Sequence, residues 1–358
     1  MKKRKGNGVR IFLIVMIILL SLLLAALVGG VIYVEKVLGG IQGFESASTL
    51  SPEEIDSLVQ DQGYAETFDG ELGTEPSEWN LVDSEDEMIG YSDDIINILL
   101  IGQDTRNANQ KGLTDTLIVA SINTNTKKLV LTSFLRDMWV QIPGTKGIYS
   151  ERINTAYPVG GLQRLVDTLM LNFGVKIDHS VEIDFSGFKE VVDALGGVEI
   201  DLTAAEAKHM NDQYGWGSRL SAGVRNLNGE EALAYARIRA IDSDIARSDR
   251  QRTVLLKLFD KVKTMSITDA NKLVNAFIPL ITTDMNNSEI VSYVVELLPL
   301  LPELEIVTQR IPAGDSTTDG YYWWGNKGTE ETPKYVIIPI LEANRELLKK
   351  TIGAEATE

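Results

Sequence analysis

Hydrophobic positions along the chain fall into three regimes. Residues 11–34 are apolar throughout and carry no charge. Residues 35–93 show little periodic apolar content, and from Asp94 onward short apolar runs alternate with amphipathic stretches. As a helix, the 24 residues of the first regime span roughly 36 Å, more than the hydrocarbon thickness of about 30 Å. The pattern therefore predicts a transmembrane helix over 11–34. A cleaved signal peptide is the competing reading, with Ala25-Ala26 and Gly29-Gly30 as its small residues. Its apolar stretch, however, runs only about 7–15 residues. The middle regime reads as a linker. Ser51-Pro52-Glu53-Glu54 is a capping box with Pro at the first helical position, which predicts one short helix through Val59.

In residues 94–358 the runs Ile95–Ile101, Thr116–Ile122 and Leu129–Leu135 read as strands, the last two joined by the turn-rich Asn123-Thr124-Asn125-Thr126. Met138–Ile142, Val181–Phe185 and Val198–Leu202 read as further strands. Helical spacing is found over Gly160–Phe173, Phe188–Leu195, Asn228–Ala236, Ser248 or Asp249 to Val262, Asp269–Ile278, Ser288–Leu298 and Pro339–Thr351. Helices and strands alternate, but hairpin-like pairs interrupt the alternation. The expected fold class is α/β: a mixed central β-sheet flanked by helices on both faces, with an N-terminal transmembrane helix. No internal repeat is visible.

Charge refines this picture. The formal net charge is -17, but from Ile41 to Thr105 there is no Lys or Arg and there are seventeen acids. The rest of the chain is balanced, so a low isoelectric point does not argue against a basic active site. The linker is then a solvated acidic stalk, with an acidic docking arm as the alternative. Lys2, Lys3, Arg4, Lys5 and Arg10 precede the apolar run, and Lys36 alone follows it closely. That asymmetry puts residues 1–10 in the cytoplasm as a basic tail and everything after residue 35 outside the membrane. There is no ATP pool there, and nucleic acid is disfavoured as a partner. The chain has no Cys, which excludes disulfides, thiol catalysis and thiolate metal sites, and its two His exclude a His-rich zinc site.

The familiar catalytic templates are absent: no G-x-S-x-G, no G-x-x-x-x-G-K and no G-x-G-x-x-G occurs. What stands out is the density of Arg and Asp at the ends of predicted strands and helices. Gly102-Gln103-Asp104-Thr105-Arg106 closes the first strand, Thr114-Asp115-Thr116 opens the second, and Arg136-Asp137 closes the third. Arg237-Ile238-Arg239 ends a helix, and Asp244-Ile245-Ala246-Arg247-Ser248-Asp249-Arg250-Gln251 leads into the next. Singly, each fragment reads as a surface ion pair, a solvated helix face or a turn-former. In combination they suggest a phosphate or pyrophosphate ligand, because guanidinium forks match phosphate oxygens and paired carboxylates hold Mg2+ beside them.

Those fragments, with Asn97–Ile101, Arg152–Tyr157, Gly160-Gly161, Val181–Phe188, Val192–Val198 and Leu227–Arg239 in the same order, resemble the LytR-CpsA-Psr family from roughly Asp94 to Lys261. The resemblance implies a phosphotransferase of bacterial cell-wall assembly. It would move a glycopolymer, such as teichoic acid or capsule, from a polyprenyl-pyrophosphate carrier onto peptidoglycan, forming a phosphodiester. It implies Asp104 and Asp115 as ligands of Mg2+ or Mn2+. It also implies Arg237, Arg239, Arg247 and Gln251, with Arg106, as pyrophosphate-binding residues. Arg136 and Asp137 are expected to be catalytic, with Asp137 or a metal-bound carboxylate the candidate base for the incoming hydroxyl. The topology implied is a single-pass membrane protein of a Gram-positive bacterium, cytoplasmic at its N-terminus and catalytic outside, with an apolar interior open to the prenyl chain.

One departure from the family pattern is Leu113, which stands where the family often has Arg. That phosphate contact is either missing or supplied by Arg106. Two other activities fit the same residues: a membrane-anchored sensor or attenuator of lipid-linked precursors, and a polyprenyl-pyrophosphate hydrolase with water as acceptor. His179 and His209 read as structural. Tyr321-Tyr322-Trp323-Trp324 reads as packing, with sugar stacking or membrane contact as the sharper alternative.

Overall fold

In a computed structural model the residues described are 42–43, 88–103, 114–144, 147–242, 244–262, 280–286, 289–290, 292–293, 296, 300, 304–314, 319–327 and 335–352. The predicted transmembrane helix, the short helix through Val59 and the helix Asp269–Ile278 lie outside them. Among the described residues no helix is long and apolar enough to cross a membrane. The chain divides into two compact units, one of residues 1–43 and 181–306, the other of residues 44–180 and 307–358.

The second of these units holds the strands predicted most plainly. β2 (Ile95–Gln103), β3 (Thr114–Asn123) and β4 (Lys128–Phe134) form an antiparallel run, extended by β11 (Glu305–Ile311) beside β4. Ile95, Ile96, Ile98, Leu99 and Ile101 are all buried, so β2 is covered on both faces, which is why it reads as a continuous apolar run. The β3–β4 turn is closed by Asn123, whose Oδ1 accepts from the N–H groups of Asn125 and Thr126. β5 (Trp139–Gly144) and β6 (Gly147–Arg152) form a separate hairpin, and a 3-10 turn over Ile153–Thr155 leads into α1 (Ala156–Phe173).

α1 begins four residues before the expected start and bends at Gly161 (φ 68°, ψ −166°), a conformation only Gly adopts without strain. Asn172 of α1 is fully buried and exchanges two side-chain hydrogen bonds with the backbone of Gln141, fixing the helix against β5. β12 (Tyr322–Asn326) and β13 (Tyr335–Pro339) pair antiparallel, and α6 (Leu341–Thr351) closes the unit.

The other unit is mixed in strand direction: β1 (Gln42–Gly43) runs parallel to β10 (Ile281–Thr283), which is antiparallel to β7 (His179–Asp184). α2 (Phe185–Ala194) follows, capped by Asp184, which accepts from the Gly187 N–H. β8 (Val198–Leu202) and β9 (Gly223–Leu227) form a hairpin around α3 (Ala204–Tyr214). α4 (Gly229–Ala236) and α5 (Asp244–Val262) complete the unit. Capping boxes start α3 (Thr203 with Glu206) and α4 (Asn228 with Glu231).

α4 packs against α2 through Gly229. A Cβ there would lie 2.2 Å from the Lys189 carbonyl oxygen, so only Gly permits this approach. β1, β6, β9, β10, β11, β12 and β13 are not among the strands read in sequence, and α5 and α3 depart from that pattern too. α5 starts at Asp244, earlier than expected, because its first turns bury Arg247, Ser248 and Arg250 instead of apolar residues. α3 buries only Glu206, Ala207, Met210 and Asn211, too narrow a stripe for hydrophobic spacing to reveal.

Candidate functional site

Where β4 ends, Arg136 and Asp137 turn the chain toward β5. The β3–β4 register pairs Ile118 with Ser133, and continuing it outward sets Asp115 opposite Arg136. The side chains use that register: Arg136 Nη1 donates to Asp115 Oδ1. Arg136 Nε lies 3.5 Å from Asp137 Oδ2, and Arg152 Nε lies 3.9 Å from Asp137 Oδ1. Arg136 and Asp115 are 12% and 10% exposed, whereas Arg152 is 29% exposed. The cluster is therefore covered at its centre and open at one end.

Backbone contacts hold the cluster. The Asn154 N–H donates to the Arg136 carbonyl at 3.3 Å, Thr114 Oγ1 donates to the Asn154 carbonyl at 3.3 Å, and the Ile337 N–H donates to the Asp137 carbonyl at 3.1 Å. Arg152 went unassigned in the sequence reading. The signal that finds it is the β5–β6 register, which pairs Trp139 with Arg152 and so returns Arg152 to the side of Asp137. Two guanidinium forks and two carboxylates at strand ends can hold a phosphate group while keeping the site near neutrality.

The other unit holds Arg237, Arg239, Arg247 and Gln251. Arg237 caps the C-terminus of α4, with its guanidinium 4.6 Å from the centre of the Phe185 ring. A cation over an aromatic face gains about 0.5–2 kcal/mol. Arg239 is exposed, Arg247 is 2% exposed and Gln251 is half-buried one turn further along α5. Between them lies a residue missed in the sequence, Arg250. Its Nε donates to Glu206 Oε1 at 2.8 Å and its Nη1 to the Ile238 carbonyl at 3.2 Å and to Asp242 Oδ1 at 3.1 Å. Its Nη2 donates to Asp242 Oδ2.

Burial favours the protonated form of Glu206, but hydrogen bonds from Arg250 and Thr203 outweigh it and hold the carboxyl below its ordinary range. Beside this cluster, burial and the Glu206 charge push the Tyr235 hydroxyl up to about 12.

Of the remaining candidates, Asp104, Arg106 and Leu113 lie outside the described residues. Among the described residues no three His, Asp or Glu side chains converge on a point that would hold a metal ion. Asp115 is nevertheless a hard oxygen donor of the kind Mg2+ takes. Tyr322 is 2% exposed and meets Trp324 edge-on at 5.9 Å, while Trp324 is 53% exposed. The aromatic cluster thus divides between core and surface. His179 and His209 are both half-buried.

A mixed α/β fold, with a central mixed sheet flanked by helices, is the architecture of the solved structures this chain resembles. The model of the LytR_cpsA_psr family matches residues 66–333, and the chain belongs to that family. It is similar to the polyisoprenyl-teichoic acid--peptidoglycan teichoic acid transferase TagU of Oceanobacillus iheyensis, with 31% identity over 240 residues, 64% of this chain and 71% of that protein. It is also similar to the transferase of the same description, TagV, of Bacillus subtilis, with 34% identity over 183 residues, 50% of this chain and 47% of that protein. The match thus spans about half the length of TagV. Among solved structures, TagT bound to LI-WTA matches with 25% identity and a TM-score of 0.57, over 73% of this chain and 92% of that one.

Proposed function

We propose that the chain transfers a glycopolymer of the teichoic acid kind from a polyprenyl-pyrophosphate carrier to a hydroxyl of peptidoglycan. The observation that carries this reading is the Arg136–Asp115–Asp137 cluster, held at strand ends within the stretch that matches the family. The names of TagU and TagV point to the same donor and acceptor.

In the proposed step the acceptor oxygen attacks the phosphorus nearer the sugar. The bond from that phosphorus to the bridging oxygen breaks, and polyprenyl monophosphate leaves with the bond's electron pair. The hydroxyl proton passes to a carboxylate or to water, with Asp137 the residue proposed to receive it. The obstacle is charge, since the nucleophile must approach a phosphorus already ringed by anionic oxygens. Fixed guanidinium groups lower that barrier. Arg136 is proposed for the transferring phosphoryl group, and Arg106, Arg237, Arg239, Arg247 and Gln251 for the carrier's pyrophosphate.

Mg2+, held by Asp104 and Asp115, would add neutralising charge in the same place. The pyrophosphate linkage supplies the driving force, so no nucleotide is required. The apolar segment 11–34 is proposed as the anchor that keeps the domain at the outer membrane surface, where such a carrier resides.

The test is to incubate the full chain, in vesicles, with a synthetic lipid-linked saccharide pyrophosphate, peptidoglycan oligomers and Mg2+. A saccharide phosphodiester-linked to the oligomer, detected by mass spectrometry, is the expected product. Release of saccharide phosphate without coupling would make the chain a hydrolase. Binding of the carrier without either product would make it a sensor.

A further inference from the structure

Arg237 and Arg239 stand between α4 and α5 on residues 237–242, which have no regular secondary structure. A loop of this kind fixes a side chain only where something else holds its backbone. Here the hold is specific. Ile238, between the two arginines, is 2% exposed, and its carbonyl accepts from Arg250 Nη1 at 3.2 Å. Asp242, at the far end of the segment, takes Nη1 at 3.1 Å on one oxygen and Nη2 on the other.

The rest of the guanidinium is committed to a second element. Arg250 Nε donates to Glu206 Oε1 at 2.8 Å, and Glu206 is itself fixed, because its Oε2 accepts from the Thr203 N–H and hydroxyl at 2.9 Å each. One planar group, 7% exposed, therefore ties the Arg237–Asp242 segment to the start of α3 and to α5. A buried arginine–glutamate pair is a poor device for stability alone, since apolar residues of similar volume do as well or better. What it supplies is direction. The fork offers five donors in a fixed plane, and four of them meet acceptors on the protein.

We infer that Arg250 is a positioning residue: it sets Arg237 and Arg239 for the carrier's pyrophosphate by holding the Ile238 carbonyl and Asp242, without touching the carrier. The inference rests on the proposal that those two arginines bind pyrophosphate. Arg250→Lys keeps the charge beside Glu206, but an ammonium is a point charge on a flexible stem and cannot hold three acceptors in one plane.

The experiment uses the full chain in detergent micelles and a synthetic polyprenyl pyrophosphate as probe. Dissociation constants are measured for the wild type, Arg250→Lys, Arg239→Ala and the double variant, with thermal melts alongside. Arg250→Lys is expected to weaken binding about tenfold, within the range for coupled neighbours. Adding it to Arg239→Ala should cost little more, because the group it positions is gone. A purely structural residue would instead multiply the two losses. Wild-type affinity in a folded Arg250→Lys variant, or multiplied losses in the double variant, would overturn the assignment.

If Arg250→Lys does not fold, Asp242→Asn replaces it in the same cycle. That change removes one of the two acceptor oxygens and the charge at that end of the segment and leaves the Arg250–Glu206 pair intact, and the same two outcomes decide. If Arg239→Ala and Arg237→Ala bind as tightly as wild type, the pyrophosphate reading of these arginines fails and the positioning role falls with it. That result differs from one in which Arg239→Ala weakens binding and Arg250→Lys does not.

Discussion

Replacing Arg136 by Met separates what this residue does for the fold from what it does for the proposed chemistry. The side chain is 12% exposed and pairs with Asp115, itself 10% exposed. Met keeps much of the volume and removes the charge, which takes the guanidinium away from a carboxylate that is nine-tenths covered. Removing one member of a buried pair costs about 3–5 kcal/mol. Here the low end applies, near 3 kcal/mol, because Arg152 remains 3.9 Å from Asp137 and keeps that carboxylate compensated.

Adding Asp115→Asn to the same chain removes the carboxylate's charge and should restore about 1–2 kcal/mol, a normal coupling for touching residues. Turnover should behave differently. An arginine that stabilises a transferring phosphoryl group is worth about 100- to 1,000-fold in rate, and Asp115→Asn, which also removes a carboxylate proposed for Mg2+, cannot replace it. The assay pairs thermal melts of the full chain in micelles with initial rates of saccharide transfer, taken well below every melting midpoint. The expected result is partial recovery of stability with no recovery of rate in the double variant. Recovery of both together would show that Arg136 acts only through the fold, and the catalytic assignment would be wrong.

Gly229→Ala should be among the most damaging single-methyl additions in the chain, since its Cβ would sit 2.2 Å from the Lys189 carbonyl oxygen and 2.6 Å from the Lys189 Cα. Overpacking against backbone costs about 3 kcal/mol, seen as a thermal midpoint about 6–12 °C lower; an unchanged melt would contradict the α2–α4 packing. Asn344→Ala should cost about 2–4 kcal/mol, because the fully buried amide accepts from the Ala313 N–H and donates to the Tyr321 and Ile340 carbonyls; chemical denaturation checks it. The Glu206 carboxyl titrates below its ordinary range in the folded chain, so its contribution is complete above the unfolded value and is lost as pH falls through the folded one. Stability measured from about pH 6 to pH 3 should therefore fall more steeply in wild type than in Glu206→Gln; parallel acid limbs would mean that the Arg250 clasp does not depend on charge.

What could be read from the sequence follows from where apolar burial coincides with the local period. β2, β3 and β4 are buried along almost their whole length, and each was visible as an apolar run. β8 was visible because it alternates, with Val198, Ile200 and Leu202 buried between exposed Glu199 and Asp201. α3 and the first turns of α5 were hidden because their covered faces carry Glu206, Asn211, Arg247 and Arg250. A hydrophobic scan scores such positions as solvent-facing. The same blindness applies to the candidate site. Arg136, Asp137 and Asp115 were legible as strand-end residues, and the structure joins them in one cluster. Arg152 and Arg250 were not, because their relevance comes from register and from long-range acceptors, which no local pattern encodes.

The two arginine clusters are held by different physical means, and the difference bears on how each would serve a charged ligand. Arg136 stands at the end of a paired strand, and its position is set by the β3–β4 ladder. Its backbone is held further by the Asn154 N–H, which donates to the Arg136 carbonyl at 3.3 Å. Arg239 stands on a segment outside any ladder, which one buried guanidinium ties to α3 and α5. In both places carboxylates compensate the cations before any ligand arrives, so the work of assembling like charges is done during folding. A polar site organised in advance need not reorganise as charge develops on the reacting phosphate, and electrostatic catalysis depends on that economy of motion. Asp115, Asp137, Glu206 and Asp242 therefore do more than balance charge. They fix the orientation of guanidinium groups that would otherwise repel one another and point into water.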